Sequence, residues 1–160
     1  YWRDFDQAVA QSGESSRTTH AAQECIGACR LFGAMQWRAL NGASKTEILA
    51  TPYPIGKLPT KLQAIADGNY LGKSVDDIRG SGYVVESLEA ALWCFATTNS
   101  FRDAVLTAVN LGDDADTTAA LCGQLAGAFY GADAIPVDWR AKVVMRAEIE
   151  RLATKLSARL

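Results

Sequence analysis

Residues 110–131 read NLGDDADTTAALCGQLAGAFYG, and three aspartates, Asp113, Asp114 and Asp116, fall within four positions ahead of a run almost free of charge. Like charges this close repel, so the cluster needs a reason. The run from Asp116 onward has the composition of a helix, and carboxylates at a helix start cap free N–H groups and complement the helix dipole. One aspartate serves for that. Three, followed by Thr117 and Thr118, exceed it. Carboxylates that approach one another raise each other's pKa unless a cation neutralises them. Hard oxygens at positions i, i+2 and i+3 suit Mg²⁺, Mn²⁺ or Ca²⁺. Spacing alone leaves the cap and the cation site both open.

Gly123, Gly127 and Gly131 recur every four residues along the same helix, with Ala119, Ala120 and Ala126 keeping the neighbouring surface small. Glycine inside a helix costs about 1 kcal/mol against alanine. A bare face implies a second helix approaching very closely, which would hold the aspartates in the middle of a bundle rather than at its rim. A membrane dimer motif of the same spacing requires an apolar span of about 18 residues or more, and none is present.

Helical periodicity extends outward in both directions. Trp2, Phe5, Ala8 and Val9 give a first apolar stripe, and QSGESSRTT (11–19) reads as a turn. A long helix follows over HAAQECIGACRLFGAMQWRALNG (20–42), with Thr18 or Thr19 as its cap and Asn41-Gly42 as its stop. TPYPIGKLP (51–59), with Pro52, Pro54 and Pro59, is loop, TKLQAIADG (60–68) a short helix, and NYLGKSVDDIRGSG (69–82) polar and turn-rich. YVVESLEAALWCFATT (83–98) places Val84, Leu88, Ala91, Leu92 and Phe95 on one helix face. Ser100 and Asp103 open the next helix with a variant capping box. Residues 138–160 read as one surface helix, in which Arg146, Arg151, Lys155 and Arg159 interleave with Glu148 and Glu150 as a solvated face. Trp37, Trp93, Phe95, Phe129 and Trp139 read as core. No strand pair is evident. The expected fold is all-α: a compact bundle of orthogonal and antiparallel helices.

The chain has 160 residues, 49% hydrophobic and 21% charged, with a net charge of −2. That suits one globular domain, and the charge balance favours neither nucleic acid nor an anionic membrane. Cys25, Cys29, Cys94 and Cys122 form no C-x-x-C pair and read as buried reduced thiols, which fits a reducing, cytoplasmic compartment. A Cys25/Cys29 metal site is the weaker reading, because one histidine leaves few soft ligands. The chain begins YWRDFDQAVA without Met, inside an amphipathic pattern, from which a preceding N-terminal part is expected.

The 110–131 stretch, together with GESSRTTHAAQECIGACRLFGA (13–34), IADGNYLGKSVDDIRGSGYVVESLEAALWCF (65–95) and IPVDWRAKV (135–143), resembles the ADP-ribosylglycohydrolases, which include the dinitrogenase-reductase-activating glycohydrolases. The resemblance covers essentially the whole chain, in order. It implies an all-helical enzyme with two divalent cations, Mg²⁺ or Mn²⁺, in a central cleft. The family motif G-x-D-x-D-T makes Asp114, Asp116 and Thr117 metal ligands and leaves Asp113, at a variable position, outside that set. By the same resemblance Thr19 and His20 lie near bound ADP-ribose, and Gly80, Ser81, Gly82 and Tyr83 line the ligand cleft. Taken alone, His20 at a helix start reads equally as a cap or a packed side chain, and Gly80-Ser81-Gly82 as an ordinary turn.

The implied reaction removes ADP-ribose from a modified protein side chain, so the implied partners are ADP-ribose and an ADP-ribosylated protein. The family's early T-D-D-T-like motif and phosphate-contacting glycine loop are absent from these residues. Residues 1–160 are therefore expected to be the C-terminal part of a single such domain, inactive alone, with the N-terminal half as its partner. The competing expectation is a catalytically silent relative with a binding or structural, crystallin-like role. The retained Asp-x-Asp-Thr speaks for the enzyme.

Overall fold

The computed structural model describes residue 1 and residues 3–50 and 53–158. Trp2, Pro52 and Arg159, assigned above to a stripe, a loop and a solvated face, lie outside the described residues. Nine α-helices run through the described chain: α1 Phe5–Arg17, α2 Gln23–Leu40, α3 Lys45–Ala50, α4 Thr60–Ala66, α5 Val84–Thr97, α6 Phe101–Asn110, α7 Ala115–Tyr130, α8 Val137–Lys142 and α9 Arg146–Ala158. No strand occurs among the described residues, as the periodicity implies. None of these helices is long and apolar enough to cross a membrane.

Helix α5 is the centre. Nine of its 14 residues are buried, from Val85 to Phe95, and its apolar character all round requires cover on every side. Helices α2, α6 and α7 supply that cover. Leu31 and Met35 of α2, Leu92 and Phe95 of α5 and Leu125 of α7 are at most 1% exposed. Each such side chain contributes about 1.5–3 kcal/mol by leaving water. Phe95 and Trp93 are core as expected, while Phe129 and Trp139 are half-buried against it and Trp37 stacks edge-on with Phe5, ring centroids 5.3 Å apart.

Helices α6 and α7 form the hairpin that sets the site. The Ser100 hydroxyl accepts the Asp103 N–H at 3.0 Å and donates to its carboxylate at 2.8 Å, the expected cap. Helix α6 ends at Asn110, and Gly112 (φ +75°) and Asp113 (φ +54°) reverse the chain into α7. The glycines of α7 do face α6, but the approach is ordinary. A Cβ on Gly123 would sit 3.6 Å from Val105 and one on Gly127 3.8 Å from Phe101. Gly131 is the helix C-cap at φ +83°. The unusually close approach is between α1 and α2, where a Cβ on Gly33 would fall 2.2 Å from Ser12 Oγ.

Four sequence expectations change. The turn expected at 11–19 is helix as far as Arg17, because small residues there let α1 lie along α2 and Gly13 sits on the Arg30 side chain. Neither Thr18 nor Thr19 caps α2. Its N-cap is Ala22 with no side-chain bond, and the Thr18 hydroxyl instead donates back to Ser15 O at 2.7 Å. Helix α3 emerges where none is expected, started by Ser44, whose hydroxyl donates to the Glu47 carboxylate at 2.6 Å. The C-terminal surface helix is two helices, broken at Met145 with φ +59°, and α9 buries no residue.

Candidate active site

The chain reversal after α6 explains the first aspartate. Asp113 occupies a left-handed backbone position, which aspartate tolerates better than most side chains, and it is exposed. It is a turn residue. Asp114 then stands at the N-cap of α7, with its own N–H donated to Gly80 O at 2.8 Å.

An ordinary N-cap spends its carboxylate on the free N–H groups of the first turn. Asp114 does not: its side chain makes no capping bond. It accepts the Thr117 hydroxyl at 3.0 Å. Asp116 Oδ1 accepts the Thr117 N–H at 2.8 Å. Contact with the Asp114 carboxyl, and then the Thr117 amide, hold the Asp116 carboxyl below the usual carboxylate range. Thr117 thus touches both acids, and the oxygens of residues 114, 116 and 117 converge.

The cluster is at the rim, not in the middle of the bundle. Asp114 is half-buried, and Asp116 and Thr117 are exposed. Within residues 1–160 the expected enclosure is not seen, because the Asp116 and Thr117 side chains lie on the outer side of a turn whose inner side, at Thr118, is buried.

The glycine turn belongs to the same site. Gly80 is buried under the start of α7, where an added Cβ would come within 2.9 Å of Thr118 Oγ1. Gly82 is exposed, and a Cβ there would lie 3.7 Å from Asp114 Oδ2, so glycine keeps the carboxylate's flank open. Ser81 donates its hydroxyl to the Glu86 carboxylate and accepts the Tyr83 N–H at 3.2 Å, tying the turn to α5. Tyr83 donates its phenol to Glu24 at 2.6 Å and accepts from Lys61 at 3.1 Å, which links the turn to α2 and α4.

Thr19 and His20 make only local contacts. Both are exposed in the α1–α2 connection, where His20 Nδ1 lies 3.0 Å from Thr19 Oγ1. The Ser16 hydroxyl donates to His20 O at 2.8 Å and shapes that turn. No described hydrogen bond joins His20 to the aspartates. Glu24, four residues on, is tied to the glycine turn by the hydrogen bond from Tyr83.

Sequence reasoning missed Glu24, Lys61 and Glu86, whose roles depend on long-range or cross-turn contacts. It also read Thr118 only as a neighbour of the cluster. The signal was present: residues 118, 122, 125 and 126 share one inward helix stripe, and all four are buried.

The donor set fits a hard divalent ion. It consists of two carboxylates and a hydroxyl, all oxygen, with the Asp114 carboxylate not consumed by capping. Among the described residues no group of three or more His, Cys, Asp or Glu side chains gathers for a metal. Three such donors would fill only part of an octahedral shell.

A sequence model of the ADP-ribosylglycohydrolase family matches residues 1–160. The chain belongs to the ADP-ribosylglycohydrolase family. ADP-ribosylarginine hydrolase Tri1 of Pseudomonas putida (strain GB-1) is 47% identical over 146 residues, covering 91% of this chain and 39% of that protein. ADP-ribosylarginine hydrolase Tri1 of Serratia proteamaculans (strain 568) is 40% identical over 154 residues, 96% of this chain and 42% of that protein. A solved ADP-ribosylglycohydrolase-related protein complex superposes with a TM-score of 0.83 at 38% identity, covering 91% of this chain and 50% of that one. The chain therefore spans about two-fifths to one half of the length of these family members. The all-α fold is that of the ADP-ribosylglycohydrolase family.

Proposed function

We propose that this chain carries the late-motif half of the active site of an ADP-ribosylarginine hydrolase. The bond broken joins the anomeric ribose carbon of ADP-ribose to the guanidinium of a modified arginine. Water adds across it, giving free ADP-ribose and unmodified arginine. The observation that supports this most directly is the Asp114 carboxylate, which stands at a helix N-cap yet caps nothing and converges with Asp116 and Thr117. Arginine is preferred as the acceptor because two relatives named for ADP-ribosylarginine match nearly the whole chain.

Departure of the guanidinium leaves positive charge on the ribose, the electronic problem that glycosidases meet with carboxylates. Mg²⁺ or Mn²⁺, two ions in the reading favoured here, supplies orientation of the ribose hydroxyls and a lowered pKa for bound water. Asp114 and Asp116 hold negative charge at this point, and the Thr117 hydroxyl adds a neutral oxygen. Exposed Gly82 leaves the Asp114 side of the turn open to ligand. Tyr83, fixed by Glu24 and Lys61, forms a rigid wall. Ligands needed beyond these three come from outside residues 1–160. His20 and Thr19 serve substrate contact from the α1–α2 connection, and the setting is cytoplasmic.

The test is ADP-ribose release from an arginine-modified protein by the full chain, with Mg²⁺ or Mn²⁺ and with EDTA. Release that EDTA abolishes is expected. No release overturns the reading and leaves the silent, binding or structural alternative, whereas release indifferent to EDTA overturns its dependence on a divalent cation.

A further inference from the structure

Thr118 is fully buried, and its Oγ1 has no hydrogen-bond partner. Serine and threonine inside helices ordinarily return the hydroxyl to the carbonyl four residues back. Thr97, Thr154 and Ser12 do so in this fold, at 2.8, 2.9 and 2.8 Å. Thr118 does not, although its backbone N–H bonds Asp114 O at 3.1 Å in the regular way. An orphaned buried hydroxyl is a cost, and valine would avoid it. The Thr118 side chain lies under Gly80, where a Cβ would meet Oγ1 at 2.9 Å and Cβ at 3.6 Å. Gly80 O in turn holds the Asp114 N–H at 2.8 Å.

We propose that Thr118 is a positioning residue: by its volume it seats the Gly80–Tyr83 turn on the first turn of α7 and so sets where the Asp114 carboxylate points. This rests on the cation-binding reading of Asp114, Asp116 and Thr117. With no hydrogen bond to lose, Thr118 acts through shape. Glycine at 80 and threonine at 118 form one complementary pair, and Gly82, two residues on in the same turn, has a 3.7 Å clearance from an added Cβ to Asp114 Oδ2.

The experiment is a double-mutant cycle in the full chain over Gly80→Ala, Thr118→Ala and the pair, with Thr118→Val alongside. Two readouts are taken: thermal midpoint, and affinity for Mn²⁺ alone by calorimetry. Gly80→Ala lowers the midpoint by about 3–10 °C, as overpacking does. It weakens Mn²⁺ binding about 10–100-fold, as loss of a supporting shell does. Adding Thr118→Ala recovers most of both losses, because the colliding oxygen is gone. Thr118→Val keeps Mn²⁺ affinity within about threefold and does not lower the midpoint.

Additive midpoints overturn the pairing whether or not metal binds. Recovery of the midpoint without recovery of Mn²⁺ affinity overturns the positioning role and leaves a packing contact. A large Mn²⁺ loss in Thr118→Val overturns action through volume. Failure of the parent chain to bind Mn²⁺ overturns both the cation-binding reading and the positioning role, and the midpoints then judge only the steric pairing.

Discussion

Asp113 and Asp114 are neighbours with opposite physical duties. Asp113 holds a left-handed turn at φ +54°, a conformation that glycine adopts without steric cost. Asp113→Gly is therefore expected to change stability by no more than about 1 kcal/mol, in the stabilising direction, and to leave metal binding intact. The Asp114 carboxylate caps no N–H of the first turn and holds only the exposed Thr117 hydroxyl and Asp116 carboxyl, so Asp114→Asn should change the melting temperature little and lose divalent-ion affinity. Thermal melts beside metal titrations separate the two. The Asp116 carboxyl, held low by Asp114 and the Thr117 amide, stays charged to lower pH than a free aspartate. A depressed folded pKa gives a contribution present above the ordinary carboxylate range and lost as pH falls through the folded value. Mn²⁺ uptake is accordingly expected to persist through the mildly acidic range and to be lost only below the usual carboxylate range. Uptake already lost at pH 6 would contradict this. At this scale the sequence was legible where local spacing carries the chemistry, as in Asp-x-Asp-Thr. It was illegible where a contact closes through space, as for Tyr83 on Glu24, 59 residues apart.

Helices α1 and α7 show how far glycine spacing informs on packing. The four-residue repeat of α7 suggested a steric demand, but Cβ atoms at 123 and 127 would find only normal contact distances. Gly123→Ala should therefore stabilise the protein, by up to about 1 kcal/mol from helix propensity. Gly33→Ala should destabilise it by about 1–3 kcal/mol, because Ser12 lies in the way. Denaturation midpoints of the two variants moving in opposite directions would confirm the assignment of the close approach, and movement in the same direction would refute it. The second half of helix α1 was hidden for a related reason. QSGESSR has poor intrinsic helix propensity, and only the α2 surface, invisible in a local window, makes it helical. The α3 start was readable in principle, since Ser44 and Glu47 have the capping-box spacing. The break at Met145 carries no glycine or proline signal.

Across the whole molecule, α5 is the post about which α2, α6 and α7 are arranged, and the site lies where the α6–α7 reversal meets the turn entering α5. The core keeps its thiols unreactive. Burial pushes Cys94 and Cys122 up from 9.0 to about 12, whereas Cys25 and Cys29 are half-exposed. At pH 8 a thiol reagent should label Cys25 and Cys29 first and reach the other two only on unfolding. Because the folded thiol values are raised, their protonated form is favoured in the folded state, and stability declines as pH climbs from 9 towards about 12. Protection of Cys25 and Cys29 equal to that of the core pair would contradict this packing. The all-α architecture was legible because helical periodicity is local and repeated. The rim position of the acids was not, because exposure of the first turn of α7 depends on where its neighbours end.

The central claim is that the oxygens of residues 114, 116 and 117 take up a divalent cation. A calorimetric Mn²⁺ titration of the full-length protein beside Asp113→Asn, Asp114→Asn and Asp116→Asn tests this. Binding is expected for the parent and for Asp113→Asn, with a loss of about 100-fold or more in each of the other two, as removal of a charged ligand requires. Equal Mn²⁺ affinity in all four proteins would contradict it.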